Sequence, residues 1–217
     1  MRDPDITWLD ALPPIDLRCH IASLPRWLRR EREAFTPHNG YLVADAARTE
    51  ALRQRLAAEG QGPTIGIAWR GGLTRTARLQ RSVPLEALLR ALGPTGARLV
   101  NLQHGEVGEE LAAASAATGV AVTHWPELLT DQDSAAALTS ALQGVVTVCQ
   151  TQAHLTGALA LPGCVLVPRH PNWRYGLDGP EVPWYPSLCL IRQEHAGDWQ
   201  APLELAATWV SARMKTW

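Results

Sequence analysis

The chain has 217 residues, of which 46% are hydrophobic and 19% charged, with a formal net charge of −1. Such a composition excludes a disordered chain, and the length allows one well-buried domain plus extra segments. A near-neutral chain has no global attraction for phosphate backbones or anionic lipid, so no nucleic acid is expected as a partner and any anion site has to be built locally.

Residues 1–44 carry Pro13, Pro14, Pro25 and Pro37. They read as a linker, or as the remnant of the end of an acceptor domain. The run RWLRREREAF within them alternates charge sign, which fits a solvated helix face better than a specific anion or partner site. The start, MRDPDITWLDALPP, is acidic and Pro-broken, without a leader's continuous apolar core. No later apolar run reaches bilayer-spanning length, so a cytoplasmic protein with no transmembrane segment is expected.

From residue 45 to 217 the pattern is that of a folded domain. A helix is predicted from about Ala46 to Ala58, with Ala47, Leu52 and Leu56 on one face. Short apolar runs then alternate with Ala/Leu-rich helical runs. TIGIAW (64–69) precedes a helix near 84–92, ARLVNL (97–102) one near 106–118, GVAVTHW (119–125) one near 133–142, and GVVTVC (144–149) one near 153–160. A fifth strand near 164–167 leads into a long loop. Strands this short and apolar predict an α/β fold, a doubly wound parallel sheet with helices on both faces.

In such sheets ligands bind beyond the carboxyl ends of the strands, which singles out four segments. In WRGG (69–72), the glycines would admit a ligand to the backbone and Arg70 would supply charge; the alternative is a plain Gly turn with an exposed Arg. Arg75, Arg78 and Arg81 form a local positive cluster just after it. In LQHGE, Gln103 and His104 can reach a base or ribose, or simply be solvated. QTQAHLTGALALPG (150–163) runs from a strand end straight into a helix, whose unpaired first-turn N–H groups suit a diphosphate without any metal. Thr151 is the candidate cap there, His154 a candidate phosphate donor, and Gly157 a point of close packing; a capped helix with a buried His is the plainer alternative. The long loop with Trp173 and Arg174 is either functional or pinned to the core by its aromatics.

Cys19, Cys149, Cys164 and Cys189 are widely spaced, with no His at ligand spacing beside them, and are expected to be reduced thiols with no metal site. Nine Trp against one Phe is unusual, and several stand in Pro- and Gly-rich loops. No nucleophile elbow, G-x-G-x-x-G or Walker loop is present, which argues against hydride transfer and ATPase chemistry.

The strings IGIAWRGG, RSVPLEALL, LVNLQHGE, VVTVCQTQAHLTGALALP, PNWRYG, WYPS and RQ occur in the order seen in the C-terminal half of bacterial glycosyltransferases. Over roughly residues 36–200 the chain resembles the ADP-heptose:lipopolysaccharide heptosyltransferase-like group, especially its members linked to tetratricopeptide repeats. The resemblance implies a Rossmann-like C-terminal half of a GT-B fold, with a nucleoside-diphosphate sugar as donor and no cofactor. It implies that the loop of Trp69, Arg70 and Gly71 lies near the donor phosphates together with Arg81, that Gln103 lies near the nucleotide, and that the helix start at His154, Leu155, Thr156 and Gly157 receives the diphosphate.

Two positions depart from that group, which usually has Asp-Thr where this chain has Cys149-Gln150 and often has Gly at Ala160. A carboxylate contact to the donor is therefore lost or replaced. The acceptor-binding domain of such an enzyme, the common source of its general base, is expected in a longer parent chain or in a separate chain. The leading expectation is a donor domain for metal-independent glycosyl transfer, with the catalytic residue unassigned. The alternatives are a noncatalytic nucleotide-sugar-binding module, or an interaction module that docks a protein through Trp173 and Trp184.

Overall fold

The computed structural model describes residues 7–71 and 79–216, in two compact units, Met1–Thr36 and Pro37–Trp217. In the first unit the charged run does not form one helix. It is split into α1 (Pro25–Leu28), with no buried residue, and a 3-10 turn at Arg32–Ala34, because the backbone leaves the helical region at Arg29.

The second unit follows the alternating pattern closely. Its elements are α2 (Ala46–Glu59), β1 (Thr64–Ala68), α3 (Leu85–Leu92), β2 (Arg98–Asn101), α4 (Gly108–Thr118), β3 (Val122–Thr123), α5 (Gln132–Ser140), β4 (Gly144–Val148), α6 (Thr151–Ala158), β5 (Gly163–Val167), β6 (Leu188–Arg192) and α7 (Gln200–Met214). The six strands form one all-parallel sheet in the order β3-β2-β1-β4-β5-β6. The third strand is much shorter than predicted. At the sheet edge only Val122 and Thr123 find partners on β2, after which His124 turns its ring to the Asn101 amide and Pro126 opens a 3-10 turn. The sixth strand and the last helix, which follow the long loop expected over 171–187, were not predicted.

Alternate residues of each strand feed opposite faces, as a doubly wound sheet requires. Ile65, Ile67, Leu99, Val146, Val148, Cys164 and Leu166 pack beneath α3, α4 and α7. Val100, Leu102 and Val145 meet α2 and α5, while Val165, Val167, Leu188 and Leu190 meet Ala153 of α6. On α3 the spacing of Leu85, Leu88, Leu89 and Leu92 puts all four on one buried face, each stabilising the fold by roughly 1.5–3 kcal/mol. All four cysteines are free, with Cys149 and Cys164 buried. No described helix is long and apolar enough to cross a membrane.

Candidate functional site

The strand order reverses direction between β1 and β4, and at such a reversal the loops leaving the two strands diverge and open a crevice beyond their carboxyl ends. That crevice is a cavity of about 450 Å³. Its walls are Arg70 and Gly71 after β1, Leu102, Gln103, His104 and Gly105 after β2, Leu129, Gln132 and Ala135 around the start of α5, and Gln150, Thr151, Gln152 and Leu155 at the start of α6.

Gln103 fixes the first wall. Its side chain is buried, and Oε1 accepts hydrogen bonds from the N–H groups of Trp69 at 3.1 Å and Arg70 at 2.8 Å. Its own N–H donates to Asn101 Oδ1, whose amide nitrogen in turn donates to His124 Nδ1 at 2.9 Å. Gln103, expected near the nucleotide, lines the cavity, and its side-chain carbonyl oxygen is committed to the backbone of the neighbouring loop.

Trp69 is fully buried and donates its indole N–H to Glu110 Oε1 at 2.8 Å, while Glu110 Oε2 lies 2.7 Å from Arg70 Nη1. Arg70 therefore faces the cavity as half of an ion pair, not as an isolated cation. Arg81 Nη1 donates to the Cys149 carbonyl at 2.6 Å, which ties its loop to the end of β4. The Gly71 N–H donates to the Arg81 carbonyl at 3.1 Å, and a Cβ on Gly71 would stand 3.2 Å from the Arg81 side chain. Glycine here lets the guanidinium lie against the loop. Gly72, Arg75 and Arg78 lie outside the described residues.

α6 begins two residues earlier than predicted. Its N-cap is Gln150, in an extended conformation and without a side-chain capping bond, and Thr151 is the exposed first residue of the helix instead of its cap. β4 ends only three residues before the helix, leaving no turn in which Thr151 could sit outside it. The Ala153 N–H donates to the Gln150 carbonyl at 3.1 Å, while the N–H groups of Thr151 and Gln152, ahead of it in the first turn, have no intrahelical acceptor, and both residues border the cavity.

Of the other residues expected at this helix start, Leu155 borders the cavity and the rest point elsewhere. Thr156 is fully buried and donates to the Gln152 carbonyl. A Cβ on Gly157 would fall 2.3 Å from Tyr185 Cγ, so Gly157 makes room for that ring. His154 is half-buried, with Nδ1 hydrogen-bonded to the Tyr185 hydroxyl at 3.2 Å and its ring between Tyr175 and Tyr185. Burial, and then the positive charge of Arg174, hold its pKa below the ordinary imidazole value.

Trp173 and Arg174 are exposed. The Trp173 ring meets Trp184 edge-on at 6.0 Å, and Arg174 lies over the Trp173 ring at 5.2 Å. Of the residues singled out from sequence, Arg70, Gly71, Gln103, His104, Thr151 and Leu155 come together at the cavity, whereas Trp69, Arg81, His154, Thr156, Gly157, Trp173 and Arg174 do not line it. The α5 contribution was missed, although the strand-end rule applied to the third strand points there. Its signal was Asp131, which caps α5 by accepting from the Ser134 N–H at 2.8 Å.

Cys149, at the position where the resembling group usually has Asp, is buried and donates its thiol to the Leu166 carbonyl at 3.8 Å. Burial pushes this thiol up to about 12, against the pull of Arg81. Ala160 stands at φ +56, in the left-handed region that favours glycine, which is the physical reason a glycine suits that position.

No family model matches the chain. It is 32% identical over 184 residues to Protein FlbA of Caulobacter vibrioides, a match that takes in 83% of this chain and 30% of FlbA. Among solved structures it is similar to E. coli ADP-heptose LPS heptosyltransferase II, with TM-score 0.56 and 17% identity over 87% of this chain and 59% of that one. It is also similar to a glycosyl transferase family 9 protein of Veillonella parvula, with TM-score 0.54 and 13% identity over 82% of this chain and 47% of that one. The chain thus spans less than a third of FlbA and about half of each glycosyltransferase. The doubly wound parallel sheet is a fold that this chain shares with parts of both glycosyltransferases, as the resemblance implied.

Proposed function

We propose that this domain holds the nucleoside-diphosphate sugar of a metal-independent glycosyl transfer, with the donor in the crevice between β1 and β4. The observation that carries the reading is the first turn of α6 opening onto a cavity at the strand-order reversal, opposite Arg70 and Gly71. Glycosyl transfer builds negative charge on the departing nucleoside diphosphate, and pre-oriented backbone N–H groups stabilise such charge without reorganising. The amide side chains of Gln132 and Gln150 on the cavity wall offer polar contacts to the rest of the donor. Arg70, shared with Glu110, adds a tempered positive charge. Calorimetric titration of the folded protein with UDP-, GDP- and ADP-sugars tests this. One of them binds, and EDTA leaves the affinity unchanged; binding of none overturns the reading.

A second reading, binding without transfer, is favoured by Cys149. A neutral buried thiol replaces the carboxylate usual in the resembling group, so that contact to the donor is missing from this chain. Transfer to a sugar acceptor in the presence of a candidate acceptor domain separates the two. Turnover excludes the second reading, and saturable binding with no turnover supports it.

A further inference from the structure

We propose that His104 is a specificity-determining residue of the donor cavity, whose bare imidazole nitrogen, Nε2, accepts a hydrogen bond from the nucleoside, through a ribose hydroxyl or a base N–H. The proposal rests on the donor-site reading above and deepens it, since it says which part of the donor meets which wall.

His104 forms part of the cavity wall. Its side chain is exposed, yet the ring is held. Nδ1 lies 2.9 Å from the carbonyl oxygen of Leu129, a residue of the same wall. A carbonyl oxygen only accepts, so Nδ1 carries the proton and donates it. A neutral imidazole has one N–H, and Nε2 is left as a lone pair with no hydrogen-bond partner among the described residues.

Both ends of that bond are anchored. Asn101 accepts from the Gln103 N–H at 2.9 Å and donates to the Gln103 carbonyl at 3.3 Å, and Gln103 Nε2 donates to the His104 carbonyl at 3.4 Å. Gly105 follows at φ +99, in the left-handed region that favours glycine. On the other side Leu129 ends the 3-10 turn Pro126–Leu129, whose Glu127 carbonyl accepts from the Thr130 hydroxyl at 2.9 Å, and Asp131 then caps α5. The ring thus bridges the loop after β2 to the segment that starts α5.

The cavity wall therefore has two senses. Arg70 and the N–H groups of Thr151 and Gln152 are donors, which suit phosphate oxygens, whereas the lone pair of His104 Nε2 opposes them. A nucleoside diphosphate has the complementary polarity: its phosphates accept, while its ribose hydroxyls and base N–H groups donate. Leu102 and Leu129, on the same two segments as His104 and its partner, add apolar surface for a base or ribose ring. The diphosphate is directed to the α6 side of the cavity and the nucleoside to His104.

Two substitutions separate this role from a merely structural one. In His104→Asn the amide nitrogen takes the place of Nδ1 and keeps the bond to Leu129, but nothing replaces Nε2. In His104→Gln the amide oxygen takes the place of Nε2 and the bond to Leu129 is given up. Calorimetry at alkaline pH, with the nucleoside diphosphate that binds the wild type, should show His104→Asn about fivefold weaker, the factor for one lost hydrogen bond, and His104→Gln close to the wild type. A residue that only braced the turn would give the reverse order, and that result overturns the proposal. Analogues lacking one ribose hydroxyl each, and one methylated at the base N–H, identify the source of the bond. The analogue without the donor binds the wild type more weakly than its parent does, and binds His104→Asn equally. Equal affinity of wild type and His104→Asn overturns the proposal, as does a ¹⁵N spectrum with the wild-type ring protonated at Nε2. If no nucleoside diphosphate binds the wild type, the donor-site reading itself fails, and the role of His104 with it.

Discussion

On the cavity flank of α6, Thr151 and Leu155 look onto a space walled by amide side chains and loop backbone, whereas on the other flank His154 and Gly157 are packed against Tyr175 and Tyr185. The first flank is shaped by hydrogen bonds that reach across the sheet edge, above all from Gln103 to the loop after β1. The second is shaped by fit, one ring seated on one glycine. One helix thus borders a site held by directional bonds and a site held by excluded volume, and the two should fail in different ways.

The largest break comes from the packed flank. Gly157→Val drives a side chain into the Tyr185 ring and should lower stability by about 3 kcal/mol, read from the urea midpoint, while also shifting the His154 imidazole resonances. Gln103→Ala should cost about 2 kcal/mol, because two buried N–H groups lose their acceptor. Its signature is the converse one, weakened nucleoside-diphosphate binding with the His154 resonances unmoved. If Gln103→Ala also disturbs His154, the two flanks are one unit and the comparison fails.

The smallest effect is a slope with pH. Because the folded protein holds the His154 pKa below its unfolded value, the unfolded chain takes up a proton first as pH falls through the unfolded value. Stability is therefore fully present above that value and is lost on acidification until the folded pKa is passed. In His154→Gln the denaturation midpoint should depend less on pH across that window. An equal slope in both proteins would place the titrating group elsewhere.

Much of the fold was legible because the residues that encode it are close in sequence. Five apolar runs mark β1 to β5, and the Leu85, Leu88, Leu89 and Leu92 spacing marks α3. β6 and α7 escaped because the Pro- and Trp-rich loop over 171–187 interrupts the strand–helix alternation before the apolar run LCLI. The site was legible as an address, since strand ends can be counted, but not as a set of contacts. Gln103 stood at the correct strand end, yet nothing local shows that its oxygen is consumed by Trp69 and Arg70, thirty-odd residues away. Tyr41 was read within a linker, because its bonds to Ala158 and Tyr185 span more than a hundred residues. His154 was found by its neighbours in sequence; its orientation is set by residues far along the chain.

At the end of β6, Arg192 donates to four main-chain carbonyls of the preceding loop, those of Tyr175, Gly176, Asp178 and Gly179. One guanidinium therefore holds the curve of that loop by its backbone alone. The side chain of Leu177 is exposed and takes no part in those bonds. Evolution is free to vary such positions, and with them what the loop presents to its surroundings, while the path of the chain stays the same.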